Sequence, residues 1–238
     1  METNTDNRVE IQTGFADLKI DQVLKGFNRL TDKGQPLYKL ATIPLTPQLR
    51  IFIANAIAKR NAVNEIRGVT KFVQYQREAK TMVDEKGMTA EIAFTKIMHQ
   101  IYKNALVPGF DIETPPIAEM VLDKSRQDFQ IKNKNKESEQ TMTFDVKGQF
   151  QGNKSLNVNE KAFARMQQQS KFFIAGIIDC DNNTYDKATS ITFYYIDNKF
   201  FEKASKKVIP TQANRTPFRT MDMDVLKKYD ERLKSKGL

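Results

Sequence analysis

A chain of 238 residues with a net charge of +9 is long enough to bury a core without disulfides or metal staples, and its charge favours a polyanionic partner. Its single histidine, His99, and single cysteine, Cys180, exclude an intrachain disulfide, a Cys/His zinc cluster and any centre built on a histidine pair. No apolar run approaches the roughly 20 residues of a membrane span, and the polar start Met1-Glu2-Thr3-Asn4-Thr5-Asp6 is not a signal peptide, so a reducing cytoplasm is the expected compartment.

Residues 1–45 are weakly patterned, with a helix expected over Ile20–Leu30 and a loop over Thr42–Pro47. Thr46 then reads as an N-cap, with Pro47 at the first helical position. The helix it opens carries Leu49, Phe52, Ile53, Ala56 and Ile57 on one face and ends near Gly68. Thr70 opens a further helical stretch. Arg50, Lys59, Arg60, Arg67 and Lys71 punctuate this region, as a solvated face or as phosphate contacts.

A second amphipathic helix is expected over Met88–Ala105, with His99 on its polar side. A proline-rich loop follows, with a short strand at Ile117–Leu122. Two more strands are expected at Asp128–Ile131 and Thr141–Lys147, joined by a turn without apolar residues from Lys132 to Gln140. Asn157 or Asn159 caps a helix running to about Gln169. Lys171–Ile178 reads as a buried strand and Ser190–Ile196 as another, with Cys180 in or near the core. The last segment, from Lys203 to Leu238, holds ten basic residues against four acidic ones, and one short helix near Asp224–Leu233. The organisation expected is a basic, mainly helical region over 1–85, a core over 86–202 and a basic tail over 203–238. With no phosphate-binding glycine loop present, any chemistry must be carried by carboxylates and lysines.

One group of residues suits that requirement. In the strand Thr141–Lys147, Met142, Phe144 and Val146 alternate with Thr143, Asp145 and Lys147, so Asp145 and Lys147 are neighbours on one face, about 7 Å apart along the strand. Pairing Phe129 with Phe144 and Ile131 with Met142 gathers the apolar residues on the other face, and burial selects that register. It sets Asp128 opposite Asp145, with their Cβ atoms about 5 Å apart. Two carboxylates that close repel unless a cation lies between them, and a hard divalent ion with oxygen ligands fits. Glu91 lies on the same helical stripe as Phe94, Ile97 and Met98. There a carboxylate needs a metal or a lysine such as Lys147 to offset its burial.

The run Gly87-Met88-Thr89-Ala90-Glu91-Ile92-Ala93-Phe94, then Asp128-Phe129, then Phe144-Asp145-Val146-Lys147-Gly148 resembles the PD-(D/E)xK nuclease superfamily over residues 86–180. Gln127 stands where the motif's proline would be. Other acid-x-Lys triplets, such as Asp17-Lys19 and Asp197-Lys199, lack the surrounding pattern. The resemblance implies an α/β, restriction-endonuclease-like core: a mixed β-sheet flanked by helices in αβββαβ order, with a helical N-terminal extension. It further implies a Mg²⁺- (or Mn²⁺-) dependent endonuclease that hydrolyses DNA; separately, the high Lys, Asn and Ile content with few Gly points to an AT-rich bacterial or phage genome. Asp128, Asp145 and Glu91 would be metal ligands, and Lys147 would act on the attacking water. Lys161 and Gln167 to Gln169 would lie near the DNA backbone. A homodimer is one way to cut both strands. The alternatives are a structure-selective or repair nuclease of the same fold, such as a resolvase or exonuclease, or a DNA-binding protein without catalysis.

Overall fold

The computed structural model describes residues 36–66, 85–98, 110–113, 129–133, 140–181, 184–211 and 216–235. The helices expected at Ile20–Leu30 and from Thr70, the strand at Ile117–Leu122, and the residues His99, Arg67, Lys71 and Asp128 lie outside them.

The first element corrects the sequence reading. Thr42–Pro44 is not loop: it completes strand β1, Leu37–Pro44. Leu37, Leu40 and Ile43 are its buried residues, spaced by three and not by two. A β-bulge between Lys39 and Ala41 inserts the extra residue, and this hides the period-two signal a strand normally shows. Because β1 is an edge strand, the missing N–H of Pro44 at its end is tolerated. Helix α1, Pro47–Ile66, then starts as expected, with the Leu49 N–H donating to Thr46 Oγ1 at 3.2 Å. Leu49, Ile53, Ala56 and Ile57 are buried along it.

Helix α2 covers residues 85–98 and buries Ala90, Ile92, Ala93, Phe94, Ile97 and Met98. Three strands, β2 (Phe110–Glu113), β3 (Phe129–Asn133) and β4 (Gln140–Phe144), form an antiparallel sheet. The β3–β4 register pairs Phe129 with Phe144 and Ile131 with Met142, as burial demands. The strand expected to run unbroken from Thr141 to Lys147 changes partners at Asp145. On the far side β5, Val146–Phe150, pairs in parallel with β7, Phe172–Ile178. The carbonyl of Asp145 already accepts the N–H of Ile174 at 2.9 Å, so residue 145 is the seam between two ladders.

Between β5 and β7 run β6 (Ser155–Asn159) and helix α3 (Glu160–Gln169). A parallel pair needs such a crossover, because no tight turn can reverse the chain twice. Asn159 caps α3, its side chain accepting from the N–H groups of Lys161 and Ala162. Strand β8, Ser190–Asp197, continues the sheet, whose order is β1-β8-β7-β5.

Successive residues of β7 enter different clusters, as strand geometry requires. Phe172, Ile174 and Ile178 pack with α1, α2, Val146 and Phe150; Phe173, Ala175 and Ile177 pack with Phe163 and Met166 of α3. The sheet is thus covered on both faces, α2 on one and α3 on the other. Cys180 is buried at the margin of the first cluster, and burial, followed by the charges of Asp179 and Asp181, pushes its thiol up to about 11. Such a thiol stays protonated and inert.

The segment after 202 contributes more than a helix. Helix α4 (Asn198–Ala204), β9 (Ser205–Val208) and β10 (Phe218–Asp222) precede α5 (Asp224–Lys234). A three-stranded antiparallel sheet, β6-β10-β9, ties this segment back to the strand before α3. Phe201, Met221 and Leu226 complete the second cluster. The whole is a mixed α/β protein whose mixed and antiparallel sheets are flanked by helices.

Candidate active site

Alternation along β5 puts Val146 and Gly148 on the α2 face, and Asp145 and Lys147 on the α3 face. The ion pairs agree. Lys147 Nζ lies 3.2 Å from Asp145 Oδ2, and Arg165 of α3 donates from NH2 to the same oxygen at 3.0 Å. The Asp145 side chain is only 5% exposed, whereas those of Lys147 and Arg165 are 24% and 47% exposed. A carboxylate so far from water needs compensation, and two cations supply it. Both of these contacts are made to Oδ2.

Helix α2 brings Glu91 from the other layer. Its first turn meets β5 closely: a Cβ at Gly148 would stand 1.8 Å from the Lys86 carbonyl oxygen. Lys86 Nζ donates to Gln149 Oε1 at 3.0 Å, and burial lowers the lysine's pKa. Gln149, 1% exposed, also takes the N–H of Phe150 and gives Nε2 to the Ser155 carbonyl at 2.9 Å. One turn further on, Ala90 packs over Gly176 of β7, where a Cβ would be 2.9 Å from the Ala90 methyl. Glu91 itself is half-buried, and Thr95 Oγ1 donates to its backbone carbonyl. The structure therefore brings Asp145 and Lys147 together and adds Arg165. Glu91 lies on the helix that abuts their strand, and Asp128 falls outside the described residues.

The expected DNA contacts fare differently from one another. Arg50 spends its guanidinium on the backbone carbonyls of Leu45, Tyr185 and Asp186, clamping the start of α1 to the loop before β8. That is a structural role. Lys59 is exposed on α1, and Lys161 is exposed in the first turn of α3, on the helix that also carries Arg165. Gln167 donates to Glu202 at 3.1 Å. The side chain of Arg60 lies outside what is described.

Among the described residues, no group of three or more His, Cys, Asp and Glu side chains is placed to hold a metal ion. Mg²⁺ does not need such a group: one or two carboxylates with water complete its shell. Asp145, a hard oxygen donor, fits that chemistry. Arg165 is the site residue that the sequence reading missed. In the sequence it is an ordinary exposed arginine next to Met166, and only the packing of α3 over the sheet brings it to Asp145.

No family model matches the chain, and the search of curated proteins returned no match.

Proposed function

We propose that this chain is a Mg²⁺-dependent endonuclease hydrolysing DNA phosphodiester bonds, of the PD-(D/E)xK, restriction-endonuclease-like kind. The observation that carries the reading is Asp145, a buried carboxylate ion-paired with the lysine two residues on, at the seam between an antiparallel hairpin and a parallel strand pair. The order of elements supports it: α2, then β2, β3 and β4–β5, then α3 and β7 follow αβββαβ, with β6 inserted before the second helix. The net charge of +9 suits a polyanionic substrate.

In this reading Asp145 and Asp128 would hold the cation, and Glu91, carried by α2 in the neighbouring layer, would be an additional or second-metal ligand. When bound, Mg²⁺ supplies Lewis acidity and a more acidic water. The chain's own contribution is placement. Lys147 stands on a strand paired along its length, so backbone hydrogen bonds fix its position beside the carboxylate. From there its ammonium orients the attacking water and offsets the negative charge that grows on the phosphate oxygens. Burial of Asp145 keeps bulk water from screening these interactions.

A second reading, DNA binding without catalysis, is favoured by Arg165: a carboxylate that already has two cations is compensated without a metal. Supercoiled plasmid, linearised plasmid and a branched duplex, each incubated with the full chain, with Mg²⁺ or with a chelator, separate the two. The expected result is Mg²⁺-dependent cutting that Asp145→Ala abolishes. Discrete fragments indicate a sequence-reading endonuclease, and progressive loss from ends or cutting only at branched DNA indicates an exonuclease or resolvase. Retarded but intact DNA of all three kinds, in Mg²⁺ and in Mn²⁺, overturns the hydrolase reading.

A further inference from the structure

Arg165 lies outside the acid-x-Lys triplet, yet it shares Asp145 Oδ2 with Lys147, at 3.0 Å against 3.2 Å. The two cations are held in different ways. Lys147 is placed by a strand paired on β7, with its short reach to the residue two positions back. Arg165 extends from a separate element. Nearly half of its side chain is open to solvent, although its tip meets a carboxylate that is almost wholly shielded. A guanidinium has five N–H donors, and among the described residues only NH2 is engaged, on Asp145.

The base of this arm is fixed. Asn159 caps α3, and Asn198 Nδ2 donates to the carbonyls of Met166 and Ser170 at 3.3 and 2.8 Å. Phe163 and Met166, on either side of Arg165, are 1% and 2% exposed. What can move is the side chain, not the helix. Its planar fork also matches a phosphate better than it matches a single carboxylate oxygen.

Resting on the nuclease reading above, we propose that Arg165 is a positioning residue with two stations. In the metal-free protein it neutralises Asp145 at Oδ2. A divalent cation arriving on Asp145 competes for the same charge and releases the guanidinium toward the DNA phosphate. Lys147 stays, because its strand holds it there. Arg165 thus keeps the buried carboxylate compensated until metal arrives, and holds substrate only once it has.

Calorimetric titration of Mn²⁺ into the full chain without DNA tests the first station. Arg165→Ala and Arg165→Gln, the latter keeping most of the volume should the former fail to fold, should both bind Mn²⁺ more tightly. The gain should be roughly three- to tenfold, the worth of one partly exposed charge-assisted hydrogen bond. The second station is read from fluorescence anisotropy of a short DNA duplex. Both variants should lose affinity in Ca²⁺ and match the parent when no divalent ion is present. Unchanged or weaker Mn²⁺ binding by a folded variant overturns the proposal, and so does an affinity loss that is the same with and without Ca²⁺. Asp145→Ala separates this failure from that of the metal site. If it binds Mn²⁺ like the parent, the metal reading itself falls; if it loses Mn²⁺ while the Arg165 variants are unaltered, only the two-station inference falls.

Discussion

Strand β7 runs between two carboxylates held in opposite ways. Near its start, Asp145 takes its compensation from the cations Lys147 and Arg165. Just past its end, Asp179 takes four hydrogen bonds from neutral donors: the N–H and hydroxyl groups of Thr189 and Ser190. Asp179's bonds come from one short stretch of chain and close the connection between β7 and β8. They leave no room for exchange. Lys147 and Arg165 are side chains with their own stems, and each can be replaced by another cation. A carboxylate satisfied by its own loop is structural, whereas one satisfied by charges that can leave is available for chemistry.

The sharpest way to break this comparison is Lys147→Ala. Under the proposed function it should lower the single-turnover cleavage rate roughly 10²–10³-fold, as for other groups aimed at developing charge, while DNA affinity changes little. Cleavage at the parental rate would reduce Asp145 to another structural carboxylate. Asp179→Ala should do the converse. It should cost on the order of 2 kcal/mol in denaturant unfolding, since bonds to a charged acceptor are lost together, and leave Mn²⁺ binding intact.

The same residue gives a pH signature. Burial by itself would raise the Asp179 pKa, but the four hydrogen bonds outweigh it and hold the group below the usual value. A folded pKa below the unfolded one means that the stabilisation is complete above the unfolded pKa. It is lost as pH falls through the folded value. Acid unfolding of the parent should therefore be steeper below about pH 4 than that of Asp179→Ala. Parallel curves would show that the four bonds contribute nothing.

The smallest effect belongs to Asp197→Ala. Its acid-x-Lys triplet looks as good in sequence as that of Asp145. In the structure, however, Asp197 caps α4 by accepting the Phe200 N–H at 2.9 Å. A lost N-cap costs about 1 kcal/mol, and cleavage should be unaffected. A cleavage defect here, with Lys147→Ala active, would mean that the wrong triplet was chosen.

Much of this is legible in the sequence. Thr46 announces α1 by its capping chemistry, as Asn157 or Asn159 does α3, where the structure selects Asn159, and the apolar runs of β7 and β8 are too long and too branched to be anything but buried strands. The β3–β4 register follows from where four apolar residues must go. What escaped has physical reasons. The bulge in β1 broke its period. Strands β6, β9 and β10 are short and polar on one side, and they make sense only when paired with one another. The break at Asp145 is invisible locally because the chain stays extended and only its hydrogen-bonding partners change. Arg165 is an ordinary surface arginine until the crossover brings it over β5.

Gly148 has a consequence for how this site tolerates change. With the Lys86 carbonyl oxygen 1.8 Å from where a Cβ would stand, helix α2 and strand β5 touch backbone to backbone. That contact acts as a mechanical stop: it sets the gauge between the layer that carries Glu91 and the strand that carries Asp145 and Lys147. A single methyl group at 148 would work as a shim, pushing the two layers apart without altering any acid or base in either. The site's chemistry is thus exposed to damage at a residue that has no functional group at all.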